Sequence, residues 1–151
     1  MSAIRKLVLL IFLFGTLSVG VELLLLGHVE SFWQLVPLVL IAASPVALVF
    51  HVVARNAASI KIFQLLMLLF ILSGFVGIGQ HYKAKIEFKL EINPSLSGLE
   101  LFREALTGAT VPPVLAPGMM LQLGLLGLAF TYRHPTILKT AQKSEPTTNG
   151  E

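Results

Sequence analysis

The residues of this sequence that could carry chemistry are four histidines and two polar side chains within apolar runs. Glu22 lies in the apolar run 7–27, and Gln122 lies in the last such run. A carboxyl group inside a bilayer is costly unless it is protonated, paired or turned toward protein, so it marks a candidate site by default. Gly15, Ser18 and Glu22 recur on one stripe of a helix, and small residues favour close helix contact, so we expect this stripe to face other helices. Glu22 and Gln122 could then share a hydrogen bond or line a path for a proton or small solute.

The four histidines separate into two layers if the apolar runs alternate across a membrane. His28 and His81 follow the outer ends of two runs, whereas His51 and His134 lie at the inner ends. Two imidazoles at one depth could ligate a b-type haem, and a histidine with a carboxylate could hold a metal ion. Imidazoles are also well tolerated at helix ends near lipid headgroups. A purely structural role for the histidines is therefore the simpler interpretation. His28 and His81 are therefore the candidate cofactor ligands, with haem b as the candidate group, but we expect no bound cofactor and no metal site.

The composition assigns the chain to the membrane. Hydrophobic residues make up 55% of it and charged residues 13%, whereas soluble domains carry about 25% charged residues. The Lys and Arg residues flank the apolar runs in small groups. This pattern indicates which side of the membrane each loop occupies, and it is not typical of a nucleic-acid-binding surface. The absence of cysteine excludes disulfides and thiolate ligands. No sequence motif of an enzyme is present, so a catalytic role is not the expectation.

Four apolar runs predict an all-α integral membrane protein, a bundle of four transmembrane helices. About 20 apolar residues cross the hydrocarbon core as a helix, and the predicted spans are 7–27, 33–54, 62–80 and 114–133. Residues 1–143 then form one membrane domain, and residues 144–151 form a polar tail that we expect to be disordered. Seven of the eleven Lys and Arg residues fall on one side of this topology. That side is predicted to be the cytoplasm, with both termini there, in the plasma or inner membrane of a cell.

The segment 81–113 is the only sizeable insertion that this topology places outside the bilayer. Charged and apolar residues alternate over 83–92, which predicts a strand. Ser97 and Glu100 have the spacing of a capping box, which predicts a short amphipathic helix after the strand. A single strand leaves an edge unpaired, so we expect a protein partner or a second copy to bind there, against the face formed by Ile86, Phe88 and Leu90.

These patterns favour a non-catalytic subunit or assembly partner of a larger membrane complex. Two alternatives stay open from the residues alone. A membrane redox module would use His28 and His81 to hold haem or a metal, and a proton or small-solute carrier would use Glu22 and Gln122.

Overall fold

The computed structural model describes residues 2–107 and 115–136, which form five α-helices. They are α1 (Ala3–Leu25), α2 (Phe32–Ala54), α3 (Ala57–Ile92), α4 (Gly98–Thr107) and α5 (Leu115–Thr131). Three of them, α1 to α3, are long and apolar enough to cross a membrane. The prediction of a helical protein with membrane-spanning segments is confirmed to the extent that these three helices have the necessary length and composition. The fourth predicted span corresponds to the shorter helix α5, of 17 residues. The predicted tail 144–151 and part of the predicted insertion, 108–113, lie outside the described residues.

Short polar turns separate the first three helices. Gly27 has φ +63° at the end of α1, a left-handed conformation that glycine adopts without strain, and the His28 amide donates to the Leu23 carbonyl, 2.9 Å away. The Gln34 side chain accepts hydrogen bonds from the backbone amides of Glu30 and Ser31 at the start of α2. These contacts satisfy amides that a helix start leaves without partners.

The helices alternate in direction, so the bundle has two distinct ends. The Arg5 guanidinium in α1 donates to the carbonyls of Tyr132 and Arg133 just beyond α5, 3.1 and 3.3 Å away. We call this the basic end, because Lys6, Arg55, Lys61 and Arg133 also lie there. The opposite end carries the α1–α2 turn and α4, and we call it the hairpin end.

The core lies where α1, α3 and α5 meet. Phe12, Phe63 and Phe70 are fully buried there, and the rings of Phe12 and Phe63 meet edge to face with centroids 5.7 Å apart. Phe130 of α5 packs on Phe63 in the same geometry at 6.0 Å. Aromatic pairs of this kind contribute roughly 0.5–1.5 kcal/mol beyond their buried area.

Glycines allow α3 and α5 to approach closely. A Cβ atom added at Gly77 would lie 2.8 Å from Pro117 Cβ, and one at Gly124 would lie 2.8 Å from the Met67 carbonyl oxygen. Gly74 and Gly127 are equally crowded by the opposing helix. The small residues therefore set the distance between these two backbones, as they do in many membrane helix pairs.

The strand predicted over 83–92 is wrong, because this segment is the last part of α3. No Gly or Pro interrupts the chain between Gly79 and Pro94, and Lys, Glu, Ala and Leu are strong helix formers, so the preceding helix continues. Lys83 and Glu87, four residues apart, form an ion pair at 3.7 Å. The half-buried positions share a face at the helical spacing, among them Tyr82, Ile86 and Leu90, while Phe88 of the same alternation is exposed.

The continued helix makes α3 much longer than a bilayer needs. Its 36 residues span roughly 54 Å at 1.5 Å per residue, against about 30 Å of hydrocarbon. Helix α4 folds back on the end of α3, where Lys89 Nζ donates to Glu104 Oε2 at 2.8 Å and Tyr82 packs on Phe102. We call the α3 segment 82–92 together with α4 the hairpin.

Candidate functional site

The fold brings His28 and His81 together at the hairpin end. His28 follows the glycine turn that ends α1, and His81 lies in α3 just before the hairpin. Their ring centroids are 6.4 Å apart, and the ring planes differ by only 10°. Gly27, in a left-handed conformation, ends α1, so His28 lies in the following turn and not on a continued helix.

A cavity of about 640 Å³ opens between the helices beside this histidine pair. Most of its wall is apolar and comes from all three long helices and from α5. Most of its polar side chains lie toward the hairpin end, namely His28, Ser31, Gln34, Gln80 and His81, whereas Ser73 lies deeper, beside Leu72. None of the described residues that line it is Lys, Arg, Asp or Glu. Apolar cavities of this size with a few convergent polar groups are the usual form of a small-molecule site.

The environment of His28 disfavours a positive charge. Burial, and then the nearby His81, hold the pKa of His28 below its ordinary value of 6.5. A neutral imidazole has one nitrogen that donates a hydrogen bond and one that accepts. At neutral pH, His28 therefore offers hydrogen bonds without a net charge.

The two polar residues of the apolar runs lie outside this site. Glu22 and Ser18 are exposed on the surface of α1, so the expected inward orientation of their stripe is wrong; only Gly15 packs inward, against Leu123 of α5. Gln122 is also exposed, on α5. Within the described part of the chain, no hydrogen bond joins Glu22 to Gln122. The side chains proposed for a carrier therefore do not converge on a common path.

The side chains predicted to bind a partner are divided between two faces of α3. Ile86 and Leu90 are half-buried on the side toward α4, whereas Phe88 is 53% exposed. A strand would have placed all three on one face, but successive residues of a helix turn by about 100°, so Phe88 points away from the other two. Phe88 alone keeps the accessibility that partner binding needs.

The inner histidines also meet, at the basic end. The rings of His51 and His134 lie edge to face with centroids 5.0 Å apart. His51 Nδ1 lies 2.7 Å from Ser59 Oγ, whose hydroxyl donates to the Asn56 carbonyl, so the histidine nitrogen is the donor in that contact. This cluster connects the end of α2, the start of α3 and the segment after α5.

Sequence reasoning missed Ser59 and Arg5, which hold this inner cluster together. Ser59 comes three residues after Asn56, the spacing of a helix N-cap, and the Asn56 side chain does accept from the Ser59 amide at 2.9 Å. That local signal was present in the sequence. The contact of Arg5 with residues 132 and 133 joins distant parts of the chain and has no local signal.

The arrangement offers few ligands for a metal ion. Among residues 2–107 and 115–136, no group of three or more His, Cys, Asp or Glu side chains is placed to hold one. The paired imidazoles of His28 and His81 could still supply two axial ligands to a haem iron, which needs no third protein ligand.

We predict that acidification weakens the basic end through His134. Burial, followed by the charges of His51 and Arg5, lowers the pKa of His134 below 6.5. The unfolded chain then binds more protons than the folded chain, so stability falls as the pH drops below about 6.5. The melting temperature in detergent should decrease between about pH 7.5 and pH 5.5, and His134→Gln should reduce that decrease. Tyr132→Phe is the matched control; equal pH dependence in all three proteins would contradict the assignment.

Comparisons with known proteins add no assignment. No family model, curated protein or solved structure matches this chain. Its function is therefore inferred from the geometry of its own residues.

Proposed function

We propose that this protein is a non-catalytic membrane subunit that binds a protein partner through its hairpin. The observation that carries the proposal is a set of large apolar side chains exposed on the hairpin. Phe88 is 53% exposed, Ile92 is 67% exposed and Leu99 is 81% exposed. Phe88 and Ile92 are one helical turn apart on the same face of α3. A contiguous exposed apolar face outside a bilayer marks a surface that another molecule covers.

Two properties of the hairpin, its distance from the bilayer and its net charge, indicate that a protein and not the lipid surface covers its apolar side chains. Ile92 comes eleven residues after His81, so it lies roughly 16 Å farther along the helix axis at 1.5 Å per residue. If His81 lies at the membrane boundary, the bilayer cannot reach the end of the hairpin. The four bases of the hairpin are balanced by four acids, Glu87, Glu91, Glu100 and Glu104, so it has no net charge to attract anionic headgroups.

The proposal includes four spans, with α5 as the fourth. At 17 residues, α5 is roughly 26 Å long, a few Å short of the hydrocarbon thickness, which a bilayer accommodates at modest cost. It packs along the apolar part of α3, from Gly77 near one end to Gln64 near the other, where Gln64 donates to Thr131 at 3.2 Å. Both termini then lie at the basic end. The positive-inside rule places that end in the cytoplasm of a plasma or inner membrane.

A haem-binding redox module is the second candidate. The specific observation in its favour is the near-parallel pair of imidazoles, 6.4 Å apart, beside a cavity. It ranks second because no other described feature points to electron transfer. A visible absorption spectrum of the protein from its native membrane decides: a Soret band lost in both His28→Ala and His81→Ala would replace the subunit proposal.

The partner surface can be tested with photo-crosslinking residues placed in the living cell. We expect a crosslinker at Phe88 or Leu99 to give one discrete product of higher mass, because these side chains contact the partner. A crosslinker at Lys83, which is exposed on the same hairpin, is the matched control and should give far less product. A mass of twice the chain would identify a second copy.

The paired substitution Phe88→Gln/Leu99→Gln should also release the complex on a native gel, whereas Lys83→Gln/Glu91→Gln should retain it. Products of equal intensity at all sites, or a monomer with no discrete product, would contradict the proposed surface.

The topology gives an independent prediction. The chain has no cysteine, so single cysteines report their own side of the membrane. Ser97→Cys in the hairpin should react with an impermeant maleimide on intact cells, whereas Ala58→Cys at the start of α3 should react only after permeabilisation. Both residues are exposed. Labelling of both from the same side would contradict the four-span arrangement.

A further inference from the structure

The cavity beside the histidine pair has a clear division of polarity. Its inner wall consists of hydrocarbon side chains, among them Val19, Leu23, Leu40, Leu69 and Leu72. Its polar groups are imidazoles, amides and hydroxyls, and all of them except the Ser73 hydroxyl lie toward the hairpin end. The cavity thus repeats the polarity of a membrane leaflet, with an apolar interior and a hydrogen-bonding rim.

We propose that this cavity binds a neutral amphiphilic lipid. The hydrocarbon part of the lipid lies against the apolar wall, and a hydroxyl or carbonyl group at its head forms hydrogen bonds with His28 and His81. The site is separate from the partner surface on the hairpin and does not depend on it.

The lining chemistry selects a neutral head over a charged one. An anionic head such as a carboxylate or phosphate ordinarily requires Arg or Lys to offset its desolvation, and a cationic head requires a carboxylate or an aromatic cage. Among residues 2–107 and 115–136, none of those that line the cavity is Lys, Arg, Asp or Glu, and Trp33 is the only aromatic side chain there besides the two imidazoles. Neutral imidazole can both donate to a carbonyl and accept from a hydroxyl, so both kinds of neutral head fit.

The cavity also lies within reach of the surrounding leaflet. Leu26 and Leu72 line it and are still 66% and 58% exposed on the surface of the bundle. A molecule from the leaflet is therefore a near source of hydrocarbon.

Photoactivatable lipids test the proposal on the purified full-length protein in nanodiscs. The probes are a diazirine-bearing long-chain alcohol, the diazirine form of an isoprenoid quinone, and a diazirine-bearing fatty acid of the same chain length as the alcohol. We expect the alcohol or the quinone to label peptides of the cavity wall, in preference to the fatty acid. Labelling by the alcohol would assign a hydroxyl head, and labelling by the quinone a carbonyl head.

Two sets of variants identify the site of labelling. Leu72 lines the cavity and Leu68 does not, although both are more than half exposed on α3. Leu72→Trp should therefore reduce labelling about tenfold by filling the cavity, and Leu68→Trp should not. His28→Phe/His81→Phe keeps the ring volume but removes the hydrogen bonds. It should reduce labelling by the neutral probes about tenfold relative to the wild type.

The proposal is overturned if the fatty acid labels the wall best, or if Leu72→Trp and Leu68→Trp label alike. It is also overturned if the double histidine variant, shown by its melting temperature to be folded, binds the neutral probes as the wild type does. Crosslinking from Phe88 is measured on the same variants. A variant that loses labelling by the lipid probes but keeps the crosslink from Phe88 shows that the lipid site and the partner surface are separate.

Discussion

The close approach of α3 and α5 determines how the other parts of the bundle meet. Gly74 and Gly77 of α3 meet Pro117 and Leu121, and Gly124 of α5 meets the backbone of α3 at Met67. In a bilayer, burial of apolar surface gives helices little reason to associate, since lipid is as apolar as leucine. Packing at short distance is what holds them together. The glycines supply that distance, and they also fix the register of α5 along α3.

The register of α5 determines what meets at each end of the bundle. It places the end of α5 beside Arg5, so that the guanidinium satisfies carbonyls that a helix end leaves unpaired. The same placement brings His134 against His51. At the other end, Pro117 and Met120 of α5 form part of the cavity wall between the long helices. The inner cluster and the outer cavity are thus two consequences of one helix contact.

The sequence was sufficient for the features that depend on composition and local spacing. Four long apolar runs predicted four spans, and three of the helices that form, α1 to α3, are long and apolar enough to cross a membrane. The glycine after α1 and the capping pair Ser97 and Glu100 correctly located helix boundaries. The predicted strand failed because the segment consists of strong helix formers and continues a helix already in progress, which needs no new nucleus.

The features that failed or were missed depend on contacts between distant residues. Whether Glu22 faces inward depends on where α5 lies against α1, and the crowding at Gly15, not the polarity of Ser18 or Glu22, marks that contact. A cavity is the space that several helices leave between them, so no stretch of sequence encodes it. The side chains of its rim, from His28 to His81, come from three segments that meet only in the folded bundle.

Disulfide formation in native membranes tests the packing of α3 against α5 directly. Gly77→Cys/Pro117→Cys places two Cβ atoms where a Cβ at position 77 would lie 2.8 Å from that of Pro117, so a slight separation of the helices brings them to disulfide distance, about 3.5–4.5 Å. We predict rapid crosslinking of this pair with a mild oxidant, and none for Gly77→Cys/Thr131→Cys, which joins opposite ends of the bundle. Crosslinking of the second pair, or failure of the first in a protein that still reaches the membrane, would contradict the packing from which the basic end, the histidine pair and the cavity all follow.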